Sequence, residues 1–326
     1  MKYKLLPLVG SLILAVGLTG CLKYEKKANS STTGTTTIVC DDTFRNIMEQ
    51  EVDVFEYQYP DAHILARYAT QAEAIDSLMS LNTKTIVIGR DLTKEEKKYL
   101  KGQRKNVKSS KIAVDAIALI VNKDNPCSMM TTKEVADILS GSSRYWNDIE
   151  PSELGEIAII FDDKNSSLVS YMRDSLLNGG ELGPNVYAQG SIPAVYEAVE
   201  KNVNAIGVLG VSWITSDMSS VEITQEELAQ SVLSDTPIQG ATLSQNFKVL
   251  KLRRPDEVTA YKPYQENIFN GTYPLFRQIY MITTGVSGSL ASGFYSFVTG
   301  DIGQKIIMKT GIMPARMRIQ VVEVSK

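Results

Sequence analysis

The chain has 326 residues, with 34 Lys and Arg against 37 Asp and Glu, for a formal net charge of −3. At 43% apolar and 22% charged residues it has globular composition, and no basic stripe interleaves with aromatics as a nucleic-acid partner would require. A length of about 300 residues exceeds one typical core, so two lobes are expected.

The N-terminus carries an address. Lys2 and Lys4 precede an apolar run from Leu5 to Leu18, which ends in Leu18-Thr19-Gly20-Cys21. A spanning helix needs about 20 residues, so the run is too short for one. Its charged, apolar and small-residue parts make residues 1–20 a secretory signal. The cysteine after two small residues resembles the lipobox of bacterial lipoproteins. That resemblance implies cleavage before Cys21, acylation of its sulfur and N-terminus, including palmitate, and a protein tethered to a membrane facing the periplasm or the outside. An ordinary signal peptide with a chance cysteine is the alternative. Loss of Lys2 and Lys4 takes the formal balance from −3 to −5. Leu22 to Thr37 is rich in Ser, Thr, Lys and Asn, and residues 21–34 read as a flexible tether. No second apolar run is long enough for a membrane span. Cys40 and Cys127 could pair in an oxidising compartment; two small buried thiols is the favoured reading.

From Thr35 strand and helix patterns alternate. Thr36 to Cys40 reads as a buried strand, and Asp41-Asp42-Thr43 supplies capping groups for a helix. Phe44, Ile47, Met48, Val52 and Phe55 recur at helical spacing and stop before Pro60. His63 to Ala66 is a second strand, Ala72 to Leu81 a second helix, and Thr85 to Ile88 a third strand. Thr93 with Glu96, and Thr131 with Glu134, form capping boxes; Gly141 closes the helix that the second one opens. Lys111 to Val121 is the longest apolar strand. Strands follow at Ile157–Phe161, Ala205–Leu209, Lys248–Leu252 and Gln278–Thr283. Helices follow at Ser166–Leu177, Ser191–Lys201, Leu290–Val298 and Ile302–Met308. This alternation predicts an α/β fold with largely parallel sheets, in which ligands sit beyond the carboxyl ends of strands.

Three strand-to-helix junctions offer free N–H groups with hydroxyls or a cation alongside: Cys40-Asp41-Asp42-Thr43-Phe44, Gly89-Arg90-Asp91 and Asp162-Asp163-Lys164-Asn165-Ser166-Ser167. Helix N-termini bind oxyanions through such groups, and converging from two lobes they would hold a tetrahedral one. Each junction taken alone is also explained by ordinary capping. Catalytic chemistry has little support. His63 is the one histidine and falls in a strand, so no Ser-His-Asp set can be assembled. Metal spacings such as HExxH or paired CxxC are absent, and no cofactor or metal is implied.

Read together, these segments resemble the phosphate-binding proteins of bacterial ABC transporters, from about Thr35 to Pro314. The best section is Gly271-Thr272-Tyr273-Pro274-Leu275-Phe276-Arg277, followed by Tyr280. It is similar to the family's GTYPLxR element. Ala113 to Asn122 with Asn125-Pro126, Leu139-Ser140-Gly141 with Trp146, Ala205 to Gly210, and Gly303-Gln304-Lys305 with Lys309 to Pro314 match in order and spacing. The resemblance implies a type II periplasmic-binding-protein-like α/β fold of two lobes with a ligand cleft between them. Lobe I would comprise residues 35–121 and 261–326, and lobe II residues 122–260. It also implies phosphate held by Asp42, Thr43, Phe44, Gly89, Arg90, Asp162, Ser166 and Ser167.

Departures bear on that list. The family's third loop often carries an arginine just before a Ser-Gly-Thr. Here Asp162 stands near the arginine's place and Leu168 in the threonine's. Arg90 is the cation expected to compensate, since a guanidinium fork suits phosphate oxygens. An aspartate, Asp42 or Asp162, accepts a hydrogen bond only from a protonated oxyanion, which would admit hydrogen phosphate and repel sulfate. The resulting expectation is a monomeric, non-enzymatic lipoprotein that captures phosphate and delivers it to an ABC permease. A binder of another oxyanion and a non-transporting surface sensor or scaffold are the alternatives.

Overall fold

Apolar runs become strands in chain order because each is bounded by a turn or a cap. The computed structural model describes residues 29–215, 224–234 and 246–316; Cys21, the signal segment and the start of the tether lie outside the described residues. The strands are β1 (Gly34–Asp41), β2 (Ala62–Ala69), β3 (Thr85–Ile88), β4 (Lys108–Asn122), β5 (Met129–Thr131), β6 (Ala158–Phe161), β7 (Val186–Ala188), β8 (Ala205–Gly210), β9 (Phe247–Val249), β10 (Lys251–Arg253), β11 (Phe276–Thr283) and β12 (Met313–Pro314). The helices are α1 (Arg45–Gln58), α2 (Gln71–Met79), α3 (Lys94–Gly102), α4 (Thr132–Leu139), α5 (Ser167–Leu177), α6 (Ile192–Lys201), α7 (Val211–Thr215), α8 (Gln225–Leu233), α9 (Gln265–Phe269), α10 (Leu290–Val298) and α11 (Asp301–Lys309). Both predicted capping boxes form, with Thr93 and Thr131 each accepting from the N–H of a glutamate three residues on. Gly141 adopts φ +79° after α4, a conformation that suits glycine.

One curled sheet joins the two lobes. Its order is β2-β1-β3-β11-β4-β8-β6-β7, with β12 and β9 pairing onto β4. β1, β2 and β3 are mutually parallel, as are β6, β7 and β8. The middle is antiparallel, contrary to the largely parallel expectation: β11 pairs antiparallel with β3 and β4, and β4 antiparallel with β8. The physical reason is connectivity, since a strand that passes between lobes runs through both sheets, flanked by β11 and β12 in one half and by β8 and β9 in the other. β4 does this within one fifteen-residue strand. Lys108–Ala116 pairs with β11, and Ile117–Val121 with β8. From Ile112 to Val121 almost every residue is buried on both faces, so the apolar core runs through the junction.

The second crossing is pinned to the first at Ile117. The Ile117 N–H donates to the Leu275 carbonyl (2.9 Å), and the buried Tyr273 hydroxyl donates to the Ile117 carbonyl (2.7 Å). The segment expected as one strand over Lys248–Leu252 is two. β9 pairs with β4, Leu250 turns inward, and β10 pairs with β5 in a separate two-stranded sheet. Cys40 and Cys127 are both free and buried. Burial pushes the Cys127 thiol up to about 11, which leaves it unreactive near neutral pH.

Candidate functional site

The first junction forms at the carboxyl end of β1. Asp41 caps a single 3-10 turn, Asp42–Phe44. Its Oδ1 accepts from the Thr43 N–H (3.1 Å) and the Thr43 hydroxyl (2.9 Å). The third junction forms at the carboxyl end of β6. Ser166 caps α5 by accepting from the Leu168 N–H (3.1 Å), which leaves Ser167 in the first helical turn with its hydroxyl turned to the cleft. The Thr43 and Ser167 hydroxyls, one from each lobe, lie 3.2 Å apart.

A third group joins them from β11. Arg277 donates to the Ser167 Oγ (2.7 Å), the Thr43 Oγ1 (3.1 Å) and the Asp115 carboxylate (3.3 Å). Strand register explains the last contact, because Arg277 pairs with Asp115 across β11 and β4. Asp115 also accepts from the Ser212 N–H (3.4 Å). Room for its carboxylate depends on Gly210, where a Cβ would stand 2.5 Å from the Asp115 Oδ2. The guanidinium lies 4.3 Å over the Phe44 ring, and Gly89 backs the edge of that ring. All of Asp41, Thr43, Phe44, Asp115, Asp162, Ser167 and Arg277 are buried. Trp213 Nε1 donates to the Thr43 carbonyl (2.8 Å), and the Tyr171 hydroxyl to the Phe276 carbonyl (2.6 Å), closing the cleft over the cluster.

Charge and hydrogen bonding are unbalanced here. Burial pushes the Asp41, Asp115 and Asp162 carboxyls above their ordinary range. The Arg277 guanidinium pulls all three back, and serine hydroxyls assist at Asp41 and Asp162. Three buried atoms of the cluster have no hydrogen-bond partner among the described residues: Asp41 Oδ2, Asp162 Oδ1 and Arg277 Nε. Buried polar atoms are almost always paired, so these mark a place built for additional hydrogen bonds.

The structure brings together Thr43, Phe44, Gly89, Asp162, Ser166 and Ser167 of the residues singled out in the sequence. It sets Asp42 and Arg90 apart. The Asp42 carboxylate faces outward and accepts from Arg45 (2.5 Å), while Asp41 takes the inward position. Arg90 is half-exposed and committed to Glu96 through two hydrogen bonds (2.8 and 2.9 Å) and to the Asp91 carbonyl. Arg277 and Asp115, which join this cluster, are not among the residues singled out in the sequence, although both stand inside segments that carry the family resemblance. The signal for Asp115 is a lone carboxylate in the longest apolar run. Among the described residues no group of three His, Cys, Asp or Glu side chains is disposed to hold a metal, and no helix is long and apolar enough to cross a membrane.

The comparisons agree with this architecture. Among curated relatives, the phosphate-binding protein PstS of Pseudomonas aeruginosa is 23% identical over 314 residues, 91% of this chain and 87% of that protein. PstS of Staphylococcus saprophyticus is 21% identical over 77% of this chain and 70% of its own. Among solved structures, an ABC-type phosphate transport receptor from Vibrio cholerae superposes with a TM-score of 0.62 at 17% identity, covering 86% of this chain and all of that one. A Clostridium perfringens chain crystallised with bound phosphate gives 0.65 at 20% identity, covering 87% and 100%. The family model described as the PBP superfamily domain matches residues 26–301, most of the length, and the chain belongs to that superfamily.

Proposed function

We propose that this protein binds inorganic phosphate in the interlobe cleft and delivers it to an ABC permease. The observation that carries this is the meeting of one hydroxyl from each lobe with a buried guanidinium, Thr43, Ser167 and Arg277. A tetrahedral oxyanion needs donors from several directions. The two hydroxyls, the guanidinium fork and the first-turn N–H groups of α5, which have no helical acceptor, supply them. Phe44 and Gly89 shape the wall, Ser166 holds the start of α5, and Arg277 provides the cation that the third loop lacks. The unpartnered Asp162 Oδ1 or Asp41 Oδ2 accepts from the proton of hydrogen phosphate, and sulfate offers no such proton. The curated relatives named above, matched over most of their length, are phosphate-binding proteins, which supports the same ligand.

In this reading the lobes, 35–121 with 261–326 and 122–260, close on the anion as a monomer. Acylated Cys21 holds the protein to a membrane outside the cytoplasm, and binding involves no covalent step. Isothermal titration with phosphate and sulfate tests the reading. Phosphate should bind and sulfate should bind at least tenfold more weakly. Ser167→Ala removes a hydrogen bond to a charged ligand and should weaken phosphate by about tenfold or more. Arg90→Ala, away from the cluster, should change affinity less than about threefold. Absence of phosphate binding by the parent would overturn the proposal.

A further inference from the structure

Residues 84–111 carry ten cationic side chains and three carboxylates, in a chain whose net charge is −3. Lys94, Lys98 and Lys101 recur at i, i+4 and i+7 on α3, so they share one face, and all three are exposed. The opposite side is fixed by buried Leu100, and Glu96 is turned to Arg90. Arg104 and Lys105 follow, both exposed, in the turn between α3 and β4, where Arg104 adopts φ 57°. Among the described residues only Arg90 and Lys97 of the ten cations take part in an ion pair. The ligand cluster uses none of them.

Strand register places this charge. Ile38 of β1 pairs with Thr85 of β3, Thr85 with Thr283 of β11, and Thr283 with Lys108 of β4. Exposed Lys84, the Arg104–Lys105 turn and Lys108 therefore lie at the end of the first lobe opposite the carboxyl ends of β1 and β3, hence opposite the cleft. The chain enters at this same end. β1 begins four residues before Ile38, at Gly34. The Ser31 carbonyl crosses the first turn of α10, 1.8 Å from where a Cβ on Gly293 would stand. Cys21 is eight residues before Asn29.

We propose that the basic end of the first lobe, Lys84 with α3 and the Arg104–Lys105 turn, docks on a membrane surface of anionic phospholipid headgroups. Charge complementarity selects the partner. Basic side chains are drawn to an anionic leaflet within a Debye length of it, about 10 Å at 0.1 M salt. The short lead-in at the same end lets the patch come within that distance if Cys21 carries the anchor. Docked this way, the lobe turns its cleft away from the bilayer and toward the medium that supplies the ligand.

Cosedimentation of the full chain carrying Cys21→Ser, so that no acyl chain contributes, tests this on phosphatidylcholine vesicles with and without phosphatidylglycerol. The apolar run near the N-terminus contributes equally to both, so the ratio reads charge alone. The expected result is at least tenfold stronger partitioning onto the phosphatidylglycerol vesicles at low salt, lost in 0.5 M sodium chloride, with about tenfold of it lost in Lys98→Glu/Lys101→Glu/Lys105→Glu. Unchanged phosphate affinity in that variant confirms that it is folded; if it fails to fold, the salt series on the parent decides. Equal partitioning on the two vesicles overturns the proposal. So does anionic preference that survives the triple substitution, which would assign it to Lys23, Lys26 and Lys27, or capture by soluble polyphosphate without vesicle preference.

Discussion

At the residue scale, the buried ionisable groups divide by whether anything faces them. Asp115 has Arg277 and a backbone N–H. Glu51, on α1, is fully buried with neither carboxylate oxygen hydrogen-bonded among the described residues. Burial alone drives its pKa well above the ordinary 4.5, so it is folded in as a neutral acid. The unfolded chain gives up that proton near 4.5. Stability from the protonated form is therefore complete below that pH and drains away as pH rises toward the folded value. Glu51→Gln removes this dependence. Thermal unfolding from about pH 5 to about pH 8 should show the variant gaining on the parent as pH rises, and a constant difference across that range would mean Glu51 is ionised in the fold. Such residues also mark where the sequence stops being legible. Thr43, Ser166 and Ser167 could be read because capping residues follow local rules. The choice of Asp41 over Asp42 could not, because adjacent carboxylates at a turn differ only in which way the chain folds them. Arg277 and Asp115 are 162 positions apart, and only strand register makes them neighbours.

At the element scale, a capping box or a sustained apolar run makes the element readable at α3, α4 and β4, whereas α8, which opens with the Thr224–Glu227 capping box, is not among the expected helices. The short pieces β5, β7, α7 and α9 were missed because three to five residues cannot show a period. The motif Gly271 to Arg277 shows why an element can be recognised without its roles being known. Gly271 takes φ +68° to turn the chain, Tyr273 fastens the two crossings together, and Arg277 joins the Thr43 and Ser167 hydroxyls. Tyr273→Phe leaves the ring in place and removes only the bond to the Ile117 carbonyl. Chemical denaturation should show a loss of about 1–2 kcal/mol; a variant as stable as the parent would mean that the bond does not hold the crossing.

At the scale of the whole molecule, the two lobes touch through polar contacts at the cleft and through a continuous apolar core at the crossing. The Thr43–Ser167, Trp213–Thr43 and Tyr171–Phe276 hydrogen bonds all bridge strand-end elements of different lobes. Each contributes about 1 kcal/mol, so together they bias closure without locking it. Phosphate adds differential contacts to the closed form alone and should shift the population toward it. Small-angle scattering should record a smaller radius of gyration on phosphate addition, and less change for Ser167→Ala at the same concentration. An unchanged radius at saturating phosphate would mean that the lobes are already closed before the ligand arrives.

The pinning of both crossings at Ile117 has a mechanical consequence. Arg277 is two residues beyond Leu275, whose carbonyl accepts from the Ile117 N–H, so the lever arm is at most about 7 Å. A pull on the guanidinium therefore reaches the fulcrum across only the few residues that lead into β11. Displacements of an ångström at the anion become several degrees of rotation between lobes. The stiffness of β11 sets how faithfully occupancy is transmitted as shape, the quantity that a membrane partner can feel.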